Sequence, residues 1–227
     1  MYNIIVVGCG ATGSNLVALL SQYAINEKKI NEITLIDGDQ VEAKNFRNQK
    51  YTEKDINKNK AKVLANRYSK LGIEISYMDK YISSQYELID VIKKSKYDVI
   101  LIGCVDNILA RRYMHYAFID NSIKNIVYID TGNGDVLREG QTVTGIKSNY
   151  KIIKPPVAEI FPEILNAEVP KEENKKYKCS EVDQHPQNMA VNVMSATVVF
   201  GVLTNIITFN QCYKNVLRFN LSKMYIK

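Results

Sequence analysis

Short apolar runs alternate along this chain with longer segments whose apolar residues recur at helical spacing. Ile4 to Val7 is apolar throughout and breaks off into glycines at 8, 10 and 13, before a helix-compatible segment from Asn15 to Tyr23. A continuous apolar run of that length, followed by a change of period, reads as a buried strand feeding a helix. Glu32 to Ile36 forms a second short strand, ending in Asp37-Gly38-Asp39, and Gln40 to Tyr51 is polar and irregular. Asp55, as an N-cap or first-turn acid, opens a helix with the stripe Val63, Leu64, Tyr68 and Leu71, which stops at Gly72. Beyond it the pattern predicts a strand over Ile73 to Tyr77, a helix over Ser84 to Ser95 and a strand over Tyr97 to Cys104. A helix over Asn107 to Asn121 and a strand over Asn125 to Asp130 follow, then a loop from Thr131 to Asp135 and an extended segment from Gln141 to Ile146.

From Lys151 the pattern changes. Pro155, Pro156, Pro162, Pro170 and the charged run Lys171 to Lys176 predict a loop or lid with little regular structure. A long, mostly apolar helix from Asn188 to Asn205 comes next, and Val216 to Leu221 with Lys223 to Ile226 predict an antiparallel hairpin. Strand–helix alternation of this kind predicts an α/β, Rossmann-like fold: a mostly parallel sheet, helices on both faces, and a C-terminal antiparallel extension. Residues 1–150 are expected to form the nucleotide-binding core, and 151–227 to complete the same domain with a proline-rich crossover, the long helix and the hairpin.

Composition narrows the function classes. At 227 residues, 46% hydrophobic and 24% charged, the chain can bury a full core. The net charge of +6 comes from scattered lysines without an aromatic-and-basic ladder, so a solvated surface is expected and nucleic-acid binding is not. No stretch looks like a signal peptide, and Ala196 to Ile207, interrupted by polar residues, is expected to be a buried helix and not a membrane span. Cys9, Cys104, Cys179 and Cys212 contain no CxxC pair, which argues against a zinc knuckle and for a reducing, cytoplasmic setting.

The candidate chemistry starts at the first strand. In Gly8-x-Gly10-x-x-Gly13, Gly8 permits the tight turn, Gly10 lets a ligand reach the backbone, and Gly13 lets helix meet strand. The N-terminus of the following helix points free N–H groups and a partial positive charge at the turn, where a phosphate fits, with Ala11 and Thr12 of the loop among the candidate binding residues. Asp37 stands where such folds place an acceptor for ribose hydroxyls, although it also suits a turn cap. The same loop and acid would serve an NAD-dependent oxidoreductase. Against that stand the polar Asn45 to Gln49 loop and the lack of a convincing catalytic His or Tyr-x-x-x-Lys set.

Several motifs stand in one order: the glycine loop with Ser14, then Asp37-Gly-Asp39-x-Val41-Glu42-x-x-Asn45-Phe46, Gln49, Asp55-Ile56 with Lys60, and Asp106-Asn107 with Arg111. Over nearly the whole chain this resembles the ThiF/MoeB superfamily, the adenylating core shared with ubiquitin-activating enzymes. Asp130-Thr-Gly132-Asn133-Gly134 with Gln141, the proline-rich loop, Cys179-Ser180, and Gln187 with Asn192 look like the ThiF-type proteins of the PRTRC gene system.

The resemblance implies ATP-dependent adenylation of the C-terminal carboxylate of a small ubiquitin-like or sulfur-carrier-like protein. A thioester on a cysteine could follow, and a homodimer is expected. Asp37 would hold the ribose with Asp39 beside it; Asn45, Arg47, Gln49 and Lys60 would face the phosphates, with Lys60 the main electrostatic catalyst; and Asp106, next to Asn107, would bind magnesium. Without the family, Lys60 is one exposed helical lysine among several and Asp106 a cap for the next helix. The chain departs from the family's Asn-Leu-x-Arg-Gln: here Asn45-Phe46-Arg47-Asn48-Gln49 sets the arginine one place early, and Arg112 beside Arg111 adds a second ambiguity. That departure keeps open a non-catalytic nucleotide-binding scaffold. Cys179, near Lys176 and Lys178, is the candidate thioester nucleophile, with His185 as a possible proton carrier. Cys9, Cys104 and Cys212 are expected to be packing residues, and no structural zinc is expected.

Overall fold

The computed structural model describes residues 1–134, 138–167 and 188–227. In chain order the first elements are β1 (Tyr2–Val7), α1 (Ala11–Ala24), β2 (Ile30–Ile36), α2 (Lys60–Tyr68), β3 (Ile75–Met78), α3 (Gln85–Lys94), β4 (Asp98–Gly103) and α4 (Ile108–Ile119). The remainder are β5 (Ile126–Gly134), β6 (Glu139–Ser148), β7 (Lys151–Lys154), α5 (Val157–Ile160), α6 (Glu163–Asn166), α7 (Met189–Phe209), β8 (Val216–Asn220) and β9 (Tyr225–Ile226). Among the described residues the strands make one sheet in the order β3-β2-β1-β4-β5-β6-β8-β9, with β7 on β6. From β3 to β5 the neighbours are parallel, and from β5 onwards antiparallel. This is the Rossmann-like α/β fold that the alternation predicts.

The unbroken apolar runs have a simple cause. A strand covered on both faces buries successive side chains on opposite sides. Ile4 and Val6 of β1, with Ile100 and Ile102 of β4, meet α1, α2 and α7. Ile5, Val7, Val99 and Leu101 meet α3, α4 and the short helices α5 and α6. Strand order reverses at β1, so a crevice opens at the carboxyl ends of β1, β2 and β4, where open α/β sheets take their ligands.

The structure corrects the predicted elements in four places. The helix expected to open at Asp55 begins at Lys60, with the Asn59 side chain accepting from the Lys62 N–H as its N-cap. Asp55 instead closes a 3₁₀ turn, Glu53–Asp55, by accepting from Thr52, and pairs with Arg67. Thr131 to Gly134, expected as loop, continues β5 in register with Glu139 to Thr142 of β6. Lys151 to Asn166, expected to lack regular structure, carries β7, α5 and α6. Finally, α7 is four residues longer at its C-terminal end than expected, and by length and composition it is long enough and apolar enough to cross a membrane. Ala196, Val199, Val202, Leu203, Ile206 and Ile207 nevertheless pack on the α1 face of the sheet, while Val191 and Val198 meet Phe219 of β8.

The glycine loop is fixed by close approach. A Cβ on Gly13 would lie 1.9 Å from the Gly8 carbonyl oxygen, and one on Gly8, whose φ is +92°, would lie 2.5 Å from the Cys104 oxygen. Gly10 has no such neighbour within 4 Å among the described residues. Gly13→Ala should therefore lower the stability measured by urea unfolding by about 3 kcal/mol or more, whereas Gly10→Ala should stay within about 1 kcal/mol of wild type. Equal stabilities for the two variants would contradict the contact geometry.

Candidate nucleotide site

At the carboxyl end of β1 the chain leaves the sheet at Gly8 and enters α1 through Gly10. Among the described residues no side chain caps α1, and no acidic residue lies in its first turn. Its leading amides, at Ala11, Thr12 and Gly13, retain their capacity to bind an anion. The loop is tied to its surroundings through backbone atoms. The Cys9 N–H donates to Asp37 Oδ2 at 2.6 Å, and the Tyr51 hydroxyl donates to the Cys9 oxygen at 2.7 Å. Asn15 Nδ2 donates to the Ala11 oxygen, and the Lys50 N–H donates to Ser14 Oγ.

Asp37 is buried at the end of β2. Its second oxygen, Oδ1, accepts the Asp39 N–H at 2.8 Å. Burial pushes its pKa above the usual carboxylate range, against the pull of those two amides and of the Lys60 charge. Asp37 thus both caps a turn and braces the glycine loop. Asp39 is the more accessible acid, with its side chain 48% exposed, and it pairs with Lys60 Nζ at 2.9 Å. Burial would raise the Asp39 pKa, but the Tyr81 hydroxyl and the Lys60 and Lys44 charges outweigh it and hold the carboxylate below its ordinary range.

Lys60 is not the exposed helical lysine that the residues alone suggest. It is 6% exposed, at the start of α2. Its backbone N–H donates to the Asp39 oxygen, and Asn59 Nδ2 donates to the Asp37 and Asp39 oxygens. The exit of β2 and the start of α2 are thereby clamped together, which aims a buried ammonium at the crevice.

The polar segment between them folds as a 3₁₀ turn, Ala43–Arg47. Asn45 is buried and spends its Oδ1 on the Glu42 N–H, as an internal cap. Arg47 stands exposed at the end of the turn. Gln49 Oε1 is buried and accepts no hydrogen bond among the described residues, a demand that a ligand donor or a water would meet.

At the end of β4, Asp106 is exposed, and the cap of α4 is Asn107, which accepts the Ala110 N–H at 2.7 Å. The two neighbouring arginines have opposite tasks. Arg111 donates to the Val105 and Thr131 oxygens and lies 3.3 Å from Asp130 Oδ2, an ion pair without hydrogen-bond geometry at Nε. Arg112 turns to the other side and donates to the Ile164 and Ala167 oxygens. Arg111 therefore joins the ends of β4 and β5, and Arg112 ties α4 to α6.

Sequence patterning does not reveal Tyr51, Asn59 or Tyr81 as parts of this site. The motifs that carry the family resemblance do include Asp130, Asn133 and Asn192, and the last two form a part-buried cluster with the α1 residue Thr12: Asn133 Nδ2 donates to Asn192 Oδ1 at 2.6 Å and to Thr12 Oγ1 at 3.4 Å. Burial drives the Cys9 thiol well above its ordinary pKa and Cys104 to about 12, so neither is an activated nucleophile. Cys179, His185 and Gln187 lie outside the described residues. Among the described residues no group of three or more His, Cys, Asp or Glu side chains could hold a metal ion.

The ThiF family model matches residues 1–227, and the chain belongs to the ThiF family. Among solved structures it is similar to PaaA, with 19% identity, a TM-score of 0.69, and 100% of this chain aligned to 63% of that one. It is similar also to Escherichia coli MccB with AMPCPP and MccA (18%, 0.68, 99% on 62%) and to the same protein with ATP (20%, 0.65, 99% on 62%). The chain thus spans less than two thirds of the length of these neighbours, which share its fold. No curated protein matches the sequence.

Asp130 supplies a pH signature for this end of the sheet. Burial raises its pKa to about 6, against the Arg111 charge and the Tyr128 hydroxyl that donates to it. An unfolded aspartate titrates near about 4, so the folded protein holds this proton more tightly and the contribution to stability falls as pH rises from about 4 to about 6. Melting temperatures measured across that window should lose this downward component in Asp130→Asn. Parallel wild-type and variant profiles would contradict the assignment.

Proposed function

We propose that the protein is an ATP-dependent adenylyltransferase that activates the C-terminal carboxylate of a protein or peptide. The observation that carries this is the buried Lys60 ammonium, 2.9 Å from the Asp39 carboxylate, together with the N-terminus of α1, which no side chain among the described residues caps. In the reaction a carboxylate oxygen attacks the α-phosphorus of ATP, the bond to pyrophosphate breaks, and an acyl-adenylate forms. Negative charge builds between two anions, and preorganised donors in a dry pocket offset it.

Each residue has a task that its surroundings suit. The leading amides of α1 hold phosphate oxygens, and the open space at Gly10 admits them. Lys60 supplies the fixed positive charge. Asp39, half exposed and held by side chains alone, receives the ribose hydroxyls more readily than Asp37, which is buried and whose two oxygens brace the Cys9 and Asp39 amides. Arg47 and Gln49 reach the phosphates from the irregular segment. One carboxylate suits magnesium, which keeps waters and phosphate oxygens as its other ligands, so Asp106 would hold the ion that neutralises them. Two MccB structures, one with ATP and one with AMPCPP and MccA, favour a nucleotide and a partner chain on this fold. We assign the partner to the ubiquitin-like or sulfur-carrier-like class that the sequence resemblance implies.

ATP–pyrophosphate exchange, run with peptides or small proteins ending in a free carboxylate and with amidated controls, tests this. Exchange should require the free carboxylate, and Lys60→Ala should lower it by about 10²- to 10³-fold, the usual loss when a charge-stabilising group is removed. Exchange that Lys60→Ala leaves unchanged would refute the role of the lysine. No exchange with any carboxylate would refute the activity.

A further inference from the structure

The hydroxyl of Tyr81, three residues beyond β3, donates to Asp39 Oδ1, while Lys60 holds the other oxygen of the same carboxylate. Three carbons of the Tyr81 ring would lie 2.7–2.8 Å from a Cβ on Gly38, so the ring lies face-on against the Gly38 backbone. Gly38 is therefore glycine because the ring lies on it. Yet Tyr81 is 65% exposed, so little besides Gly38 and Asp39 holds it. Partial burial, and then the charges of Asp39, Asp37 and Asp106, push its phenol above the ordinary range. The hydroxyl thus sits among the acids at the ends of β2 and β4.

We propose that Tyr81 is a latch on the nucleotide pocket: its hydroxyl fills, on Asp39, the place that a ribose hydroxyl takes, and an entering nucleotide displaces it. This rests on the reading of the crevice as an ATP site. In the exchange Asp39 keeps Lys60 and trades one hydroxyl donor for another, while the Tyr81 hydroxyl returns to water. The protein gains a closed resting state in which the Oδ1 of its ribose acceptor keeps a hydroxyl donor. Nucleotide affinity is lowered by whatever the latch contributes, since binding is weakened by the fraction of molecules that hold it closed.

Tyr81→Phe keeps the ring and removes the donor. In calorimetric titrations with AMPCPP and magnesium it should bind about three- to tenfold more tightly than wild type, the range for one ordinary intramolecular hydrogen bond. Tyr81→Ala should bind at least as tightly as wild type. Inorganic pyrophosphate, which has no ribose, should bind the wild type and Tyr81→Phe alike. Unchanged or weaker AMPCPP binding in Tyr81→Phe would overturn the latch. So would weaker binding in Tyr81→Ala alone, which would make the ring a stacking surface, or an equal gain for pyrophosphate. If the wild type binds no nucleotide, the ATP reading fails and the latch falls with it; if it binds and Tyr81→Phe gains nothing, the latch alone fails.

Discussion

The Asp37 carboxylate is removed from water and shared between two backbone amides, one in the glycine loop and one beyond the end of β2. A buried carboxylate that lost either partner would carry a large desolvation penalty, so the two segments are held to each other at a fixed distance. From that brace the site follows. The loop stays open for an anion at the head of α1, Asp39 turns outward, and the Asp39 backbone oxygen anchors the Lys60 amide. Asn59 repeats the clamp from the other side by donating to the Asp37 and Asp39 oxygens. Positioning thus depends on backbone atoms and buried polar side chains, with the exposed charges of the loop adding to it.

A second brace closes the far side of the crevice. Arg111, Asp130 and Tyr128 join the ends of β4 and β5, and Asn133 and Asn192 link β5 and α7 to the first turn of α1. The elements around the crevice are therefore cross-linked to one another by polar contacts, and networks of this kind rigidify a site. Tyr81 is the exception, exposed and attached through one hydroxyl and one ring face, which suits a part that moves.

The fold was largely legible in the sequence because its strands are buried on both faces. A run such as Ile4 to Val7, followed by Gly8 and Gly13, whose close contacts admit no side chain, has few other structures open to it. The site was legible where local spacing carries it: the glycine loop, Asp37 and Asp39. Lys60 needed the family resemblance, because a lysine among lysines shows nothing of its burial. What patterning missed depends on contacts between distant segments. Asp55 and Asn59 are both good caps four residues apart, and only the clamp on the β2 exit selects Asn59. Thr131 to Gly134 has the composition of a loop, and pairing with β6 makes it strand. Tyr81 lies far in sequence from the acid it meets, and Arg111 and Arg112 look equivalent until packing sends them to opposite sides of α4.

A glycine loop followed by a buried acid serves dinucleotides as well as ATP, and what separates the two here is the Lys60 charge and the Asp106 carboxylate at the same crevice. Equilibrium binding of AMPCPP and of NADH to the intact protein, each with and without magnesium, tests this most directly. The account predicts that AMPCPP binds, that magnesium strengthens it, that Lys60→Ala weakens it, and that NADH does not compete. Tight, magnesium-independent binding of NADH, indifferent to Lys60→Ala, would contradict it.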